Sequence, residues 1–131
     1  MEIKLTPAES EEYFHNALCN GLSQMMGYGL DIDYDADDYK AAKESLNAKS
    51  PNVGVCFEDV FMEILRMGKK LSFKDIEGDG DMDKSITLED VHNRVQKTPL
   101  DHLNDMIEEN DDADTADVIL QTVFYENIIF G

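Results

Sequence analysis

Phe57-Glu-Asp-Val-Phe-Met-Glu-Ile-Leu-Arg-Met-Gly68 is the stretch that decides the fold class. Phe57, Val60, Phe61, Ile64 and Leu65 recur at i, i+3, i+4, i+7 and i+8, which gathers them on one stripe of a helix, and Gly68 supplies the stop. A strand would scatter the same residues over two faces, because its side chains alternate. The same period returns on both sides. Upstream, Thr6-Pro7-Ala8-Glu9 is a helix start, with a hydroxyl cap, a proline at the first helical position and a glutamate three residues on. Phe14, Leu18, Leu22 and Met25 follow at helical spacing with Ala17 beside them, and Gly27 marks an end, predicting a helix over about 7–26.

Between these two helices lies Gly29-Leu-Asp-Ile-Asp-Tyr-Asp-Ala-Asp-Asp38. In extended conformation Leu30, Ile32 and Tyr34 fall on one face and Asp31, Asp33 and Asp35 on the other. Asp35 or Asp37 is placed to cap a second helix through Ala36, Tyr39, Ala42, Lys43 and Leu46, broken at Ser50-Pro51-Asn52. Downstream of Gly68, Leu71–Ile76 alternates like a strand, Gly78–Asp81 has turn chemistry and Ser85–Leu88 reads as the returning strand. Thr87 and Asp90 resemble a capping pair, with Ile86 and Val91 as a hydrophobic staple, before a helix over about 88–97. Thr98-Pro99 restarts a helix carrying Leu100, Leu103, Met106 and Ile107. After the Asn110–Ala113 link, Asp114 or Thr115 caps a last helix with Ala116, Ile119, Leu120, Val123 and Phe124 on one face, and Ile128–Phe130 is a short apolar tail expected to pack on the core. The reading is a mainly α, single-domain helical bundle over 1–131, of about five or six helices with one short β-hairpin.

A chain of 131 residues with 42% hydrophobic residues can build one core. Its net charge of −18 disfavours direct binding to nucleic acid, anionic membranes or metal-free phosphates. The charge is not spread evenly. Residues 1–39 carry a net of −8, residues 40–98 a net of −1, and residues 99–131 a net of −9 with no base at all. Two anionic ends flank a balanced middle. Such a surface costs stability through self-repulsion, so it serves either solubility or a function carried by the carboxylates themselves. Met1–Pro7 lacks a cationic region followed by an apolar run, no stretch approaches the roughly 20 apolar residues of a membrane helix, and two cysteines suit a reduced, cytoplasmic chain.

The residues offer four chemistries. Asp79, Asp81, Asp83 and Asp90 occupy positions 1, 3, 5 and 12 of a calcium loop, with Ile86 at the apolar position 8. Against calcium, Lys84 stands where glycine is wanted, Asp90 replaces the longer glutamate, and Gly78 and Asp75 interrupt the incoming helix; the alternative is a solvated Asp/Gly turn. Glu12-x-x-His15 has the spacing of di-iron bundles, and Glu11, His15 and Cys19 share one helix stripe, but neither His92 nor His102 completes a second motif, so a polar helix face is the plainer account. Cys19 and Cys56 lack a nucleophile signature and are read as buried small hydrophobes; no phosphate loop and no basic aromatic patch is present, so neither catalysis nor a cofactor is expected. The fourth chemistry is the acidic surface. Duplex DNA carries one charge per roughly 1.7 Å, so this net charge equals about 31 Å of duplex, close to the roughly 35 Å width of a compact chain of this length.

The pattern Phe14-x-x-Ala17, Asp35-x-Asp37-Asp38-x-x-x-Ala42, Asp59-Val-Phe61 and Gly68-x-x-Leu71-x-Phe73-x-Asp75, continued by Asp90-Val91, Gln96 and Leu103, resembles the Ocr-type anti-restriction DNA mimics of phages. That resemblance implies an acidic, mainly helical, dimeric protein in the host cytoplasm that occupies the DNA groove of a type I restriction or other defence enzyme, with Asp35, Asp37, Asp38 and Asp75 on the phosphate-mimicking surface. The chain departs from the pattern in its Asp/Gly-rich hairpin, in Pro99 and in the apolar segment Asp114–Gly131. From charge alone, Asp31, Asp33, Glu108, Glu109, Asp111, Asp112, Asp114 and Asp117 join the expected surface. The partner expected is a host DNA-binding defence protein, with no membrane contact, and an isologous homodimer through an apolar helix face is compatible with the sequence. The alternative is a non-enzymatic structural or interaction protein, its acidity serving solubility, with a calcium-stabilised loop at 79–90.

Overall fold

A computed structural model of the chain describes residues 4–51, 54–76, 82–110 and 112–130. In chain order it contains α1 (Pro7–Gly27), β1 (Leu30–Asp33), α2 (Ala36–Lys49), α3 (Phe57–Arg66), β2 (Leu71–Asp75), β3 (Lys84–Ile86), α4 (Leu88–Arg94), α5 (Leu100–Ile107) and α6 (Ala113–Tyr125). A single tight turn, Val95–Lys97, extends α4 and accounts for the predicted helix to residue 97. The chain is mainly helical, as its hydrophobic period requires.

Local chemistry starts and stops these elements. Thr6 and Glu9 form the reciprocal cap of α1: the Glu9 N–H donates to Thr6 Oγ1 (3.1 Å) and the Thr6 N–H to Glu9 Oε1 (2.9 Å). The left-handed residue after α1 is Gly29 (φ 84°), two residues past the expected Gly27, and Gly68 (φ 81°) closes α3 as its position predicts. Asp35 caps α2. The last helix starts at Asp112, whose carboxylate accepts from the Thr115 N–H (2.9 Å), and not at Asp114 or Thr115.

The sheet has three strands where one hairpin was expected. Its order is β1-β2-β3, antiparallel throughout, with Leu30 opposite Asp75, Ile32 opposite Phe73 and Leu71 opposite Ile86. The alternation read in residues 30–34 is real, but its partner is β2, far along the chain. Leu30, Ile32, Leu71, Phe73 and Ile86 face the core, while Asp31, Asp33, Ser72, Lys74 and Ser85 face outward, with Ser72 Oγ and Ser85 Oγ 2.7 Å apart.

Helix α6 is the axle. Ala116, Ile119, Leu120, Val123 and Phe124 are buried, and so are Thr115, Asp117, Gln121 and Thr122 on its remaining faces. Phe124 stands between sheet and helix, its ring centroid 4.2 Å from Phe73 and 6.3 Å from Phe14. Helix α1 lies so close to α6 that a Cβ on Gly21 would come within 3.1 Å of the Ala116 Cβ. The tail packs only in part: Phe130 stacks on Tyr28 at 4.5 Å, whereas Ile128 and Ile129 remain exposed and the N–H groups of Ile129 and Phe130 both donate to Gln121 Oε1. No helix among the described residues is long and apolar enough to cross a membrane.

Candidate functional site: an anionic ridge and a His–Cys–Asp cluster

β1 and the start of α2 set out five aspartates in sequence. Asp31 and Asp33 project from the outer face of the strand, Asp35 and Asp37 are exposed, and Asp38 is half-buried. Asp35 Oδ1 accepts the N–H groups of Asp37 (2.8 Å) and Asp38 (3.1 Å), so this carboxylate is also a helix cap. Asp75 is half-buried at the far end of β2, opposite Leu30. On the other chain end Glu108, Glu109, Asp112 and Asp114 are exposed. The Thr115 N–H holds the Asp112 carboxyl below the ordinary carboxylate range. Gln24 Nε2 on α1 donates to Asp114 (3.3 Å), which brings the start of α6 beside the end of α1, just ahead of β1.

Two expectations change, for Asp117 and for the two cysteines. Asp117 is buried and accepts hydrogen bonds from Tyr28 Oη and Gln121 Nε2, so it belongs to the interior: α6 is enclosed on almost every side. Its partner phenol is pushed up to about 12 by that hydrogen bond, by burial and by the neighbouring negative charges. Cys19 and Cys56 are both exposed rather than buried, since Cys19 lies on the solvent stripe of α1 and Cys56 precedes the first turn of α3. Of the calcium set, Asp79 and Asp81 lie outside the described residues, as does Asp111 of the acidic set. Asp83 accepts the Asp75 N–H (2.7 Å) and lies 3.7 Å from Lys74 Nζ; Asp90 accepts the Thr87 N–H (3.0 Å) and pairs with Arg94 at 3.3 Å. Both carboxylates therefore serve the hairpin and the cap of α4.

Cations and aromatic rings border the aspartates of β1 and the start of α2. Asp31 is the cross-strand neighbour of Lys74, and Lys69 and Lys70 line a hollow of about 520 Å³ together with Asp33, Asp35 and Asp38. No ion pair forms across it among the described residues. Beside it, Tyr34 stacks on Tyr39 at 4.9 Å and leans on Phe61 at 5.3 Å, and Phe57, half exposed, meets Phe61 at 5.7 Å.

A second cluster joins α1 to α3. His15 Nε2 lies 2.8 Å from Asp59 Oδ1, and the Cys56 thiol donates to Asp59 Oδ2 at 3.1 Å. One donor atom from each of the three residues lies within 4.8 Å of the other two. Cys19 Sγ is 3.9 Å from the other ring nitrogen of His15. Hydrogen bonding to Asp59 pushes the Cys56 thiol up to about 11, and the same bond, with His15, holds Asp59 below the usual range. Burial and the nearby Glu58 and Asp59 charges raise the Cys19 thiol. Next to the cluster, Glu11 accepts from Arg66 Nε (2.9 Å) and approaches His92 Nε2 (3.0 Å); burial raises its pKa, but these two partners outweigh it and lower the carboxyl. Sequence reasoning placed His15 and Cys19 on one stripe but missed Cys56 and Asp59, whose i, i+3 spacing at a helix start was the available signal.

No protein-family model, curated protein or solved structure matches this chain.

Proposed function

We propose that the chain is a non-catalytic anionic decoy, an inhibitor that occupies the DNA-binding groove of a host restriction or other defence enzyme in the host cytoplasm. One observation carries the reading. The ion pairs of the described residues take up Glu11, Asp59, Glu63, Asp83, Asp90 and Glu126, and none of Asp31, Asp33, Asp35, Asp37, Asp38, Glu108, Glu109, Asp112 or Asp114 is in one. The ion pairs go to other carboxylates, and Lys69, Lys70 and Lys74 border these aspartates without pairing with them. Two residues of an antiparallel strand advance about 6.8 Å, so Asp31 and Asp33 offer like charges on one face at a spacing of the same order as that of neighbouring phosphates along one DNA strand. The density increases at Asp35, Asp37 and Asp38. Tyr34 and Phe57 add the apolar contact that an interface of charges alone lacks. The resemblance to Ocr-type mimics supports the same class of target and implies a dimer, which light scattering reads directly.

Competition with duplex for a type I restriction enzyme tests the reading. Inhibition should weaken steeply with salt, since the Debye length shrinks from about 10 Å at 0.1 M to about 3 Å at 1 M. Stepwise Asp→Asn changes at 31, 33, 37 and 38 should weaken it progressively, each by a small factor. Failure to compete at low salt across a panel of such enzymes, or abolition by one of these changes with the fold intact, rejects it.

A further inference from the structure

The decoy reading makes no use of the cluster of His15, Cys56 and Asp59, whose donor atoms lie within 4.8 Å of one another. Cys56 precedes α3 without making a side-chain capping bond, and both it and Cys19 sit at the surface, so neither thiol is there for packing. Two helices far apart in sequence converge to bring an imidazole, a thiol and a carboxylate into contact. We propose that His15, Cys56 and Asp59 bind one divalent transition-metal ion of the zinc class, with water as the fourth ligand.

The geometry fits with side-chain rotation alone. Zinc bonds of roughly 2.0–2.3 Å place tetrahedral ligand atoms roughly 3.3–3.7 Å apart. One donor atom from each residue lies within 4.8 Å of the other two, and the two oxygens of Asp59 already meet the others separately, Oδ1 at 2.8 Å from His15 Nε2 and Oδ2 at 3.1 Å from Cys56 Sγ, so modest shifts reach that range. In the metal-free protein the 2.8 Å contact with the Asp59 carboxylate puts the proton of a neutral His15 ring on Nε2; on binding that proton shifts through solvent to Nδ1, facing Cys19 Sγ at 3.9 Å, and the Nε2 lone pair goes to the ion. Side-chain exposures of 31% for His15 and 43% for Asp59 leave one open side for water. The donor set selects the ion: thiolate and imidazole suit zinc and cobalt, whereas calcium and magnesium require a cage of oxygens. Arg66, the nearest guanidinium, donates to Glu11 and does not repel a cation here uncompensated. On binding, the Cys56 proton leaves to solvent as the sulfur–metal bond forms, one proton per ion. The proposal stands on the cluster alone and does not depend on the decoy reading.

Cobalt(II) titration of the reduced, chelator-treated protein tests it, in a large excess of Mg²⁺ that occupies the acidic ridge. The expected result is saturation at one equivalent with a thiolate-to-cobalt charge-transfer band, displaced by Zn²⁺. Cys56→Ser should abolish the band, His15→Asn and Asp59→Asn should each weaken binding at least about tenfold, and Cys19→Ser should retain it. Circular dichroism controls for the fold; Cys56 is exposed and its loss leaves no cavity. Absence of the band in the unaltered protein, its survival in Cys56→Ser, or its loss in Cys19→Ser instead would overturn the assignment.

Discussion

Replacing Gly21 by alanine sets two quantities of known sign against each other. Alanine is about 0.8–1.0 kcal/mol better than glycine inside a helix. At Gly21 the added Cβ would meet Leu120 Cδ1 at 2.9 Å, Ala116 Cβ at 3.1 Å and the Ala116 carbonyl carbon at 3.2 Å. The leucine methyl can rotate away. The two Ala116 atoms cannot, because they belong to the α6 backbone or hang directly from it, so α6 itself must retreat by a few tenths of an ångström. That helix is enclosed on nearly every side and carries Phe124 against Phe73 and Phe14, which makes the retreat an overpacking strain of about 1–3 kcal/mol. Gly21→Ala is therefore expected to destabilise by about 1 kcal/mol net. Urea unfolding reads this as a lower midpoint at unchanged slope. Gly27→Ala, in the same helix with nothing within 4 Å of its Cβ, is the control and should be neutral or stabilising. An increase in midpoint for Gly21→Ala would refute the close approach of α1 and α6.

Other outcomes follow from caps and protonation. Asp35→Ala should cost about 1 kcal/mol in the same assay while Asp35→Asn stays near neutral, since either oxygen accepts the Asp37 and Asp38 N–H groups. Burial alone would raise the Glu63 pKa, but hydrogen bonds from Lys49 Nζ (2.9 Å) and Ser45 Oγ (2.7 Å) outweigh it and hold it below 4.5. Its stabilising contribution is thus complete above the unfolded value and lost as pH falls through the lower folded one, so Glu63→Gln should flatten the acid limb of a stability–pH curve. At the alkaline end the Tyr28 phenol, raised to about 12 from an unfolded 10.0, stabilises the fold below pH 10 and loses that contribution towards pH 12; Tyr28→Phe should remove this component of the alkaline decline.

What could be read beforehand was whatever is encoded locally. The apolar stripe of α3, the Thr6–Glu9 cap and the Thr87–Asp90 capping pair each depend on residues a few positions apart, and each stands where the spacing placed it. β1 was legible as an extended segment but not as a sheet member, because pairing with β2 is a non-local choice made by the shared core around Phe73. Asp117 looked like surface because Asp112 and Asp114 stand close before it in sequence, yet tertiary packing encloses nearly every side of α6. The His15–Cys56–Asp59 cluster is hidden for a related reason: it is assembled from one stripe of α1 and the start of another helix, so no single helical motif spans it. The acidity of the two ends was plain from counting, whereas the commitment of Glu11, Glu63 and Asp90 to internal pairs required their partners' positions.

The double duty of Asp35 and Asp112 has a practical corollary for anyone preparing a charge-stripped control. Removing every carboxylate along the outer edge indiscriminately would also untie the beginnings of two helices, and lost inhibition could then be mistaken for lost electrostatics. Amide replacements confined to Asp31, Asp33, Asp37, Glu108 and Glu109, none of whose carboxylates caps a helix start, produce a reference protein that differs from its parent in field strength while keeping both helix starts tied.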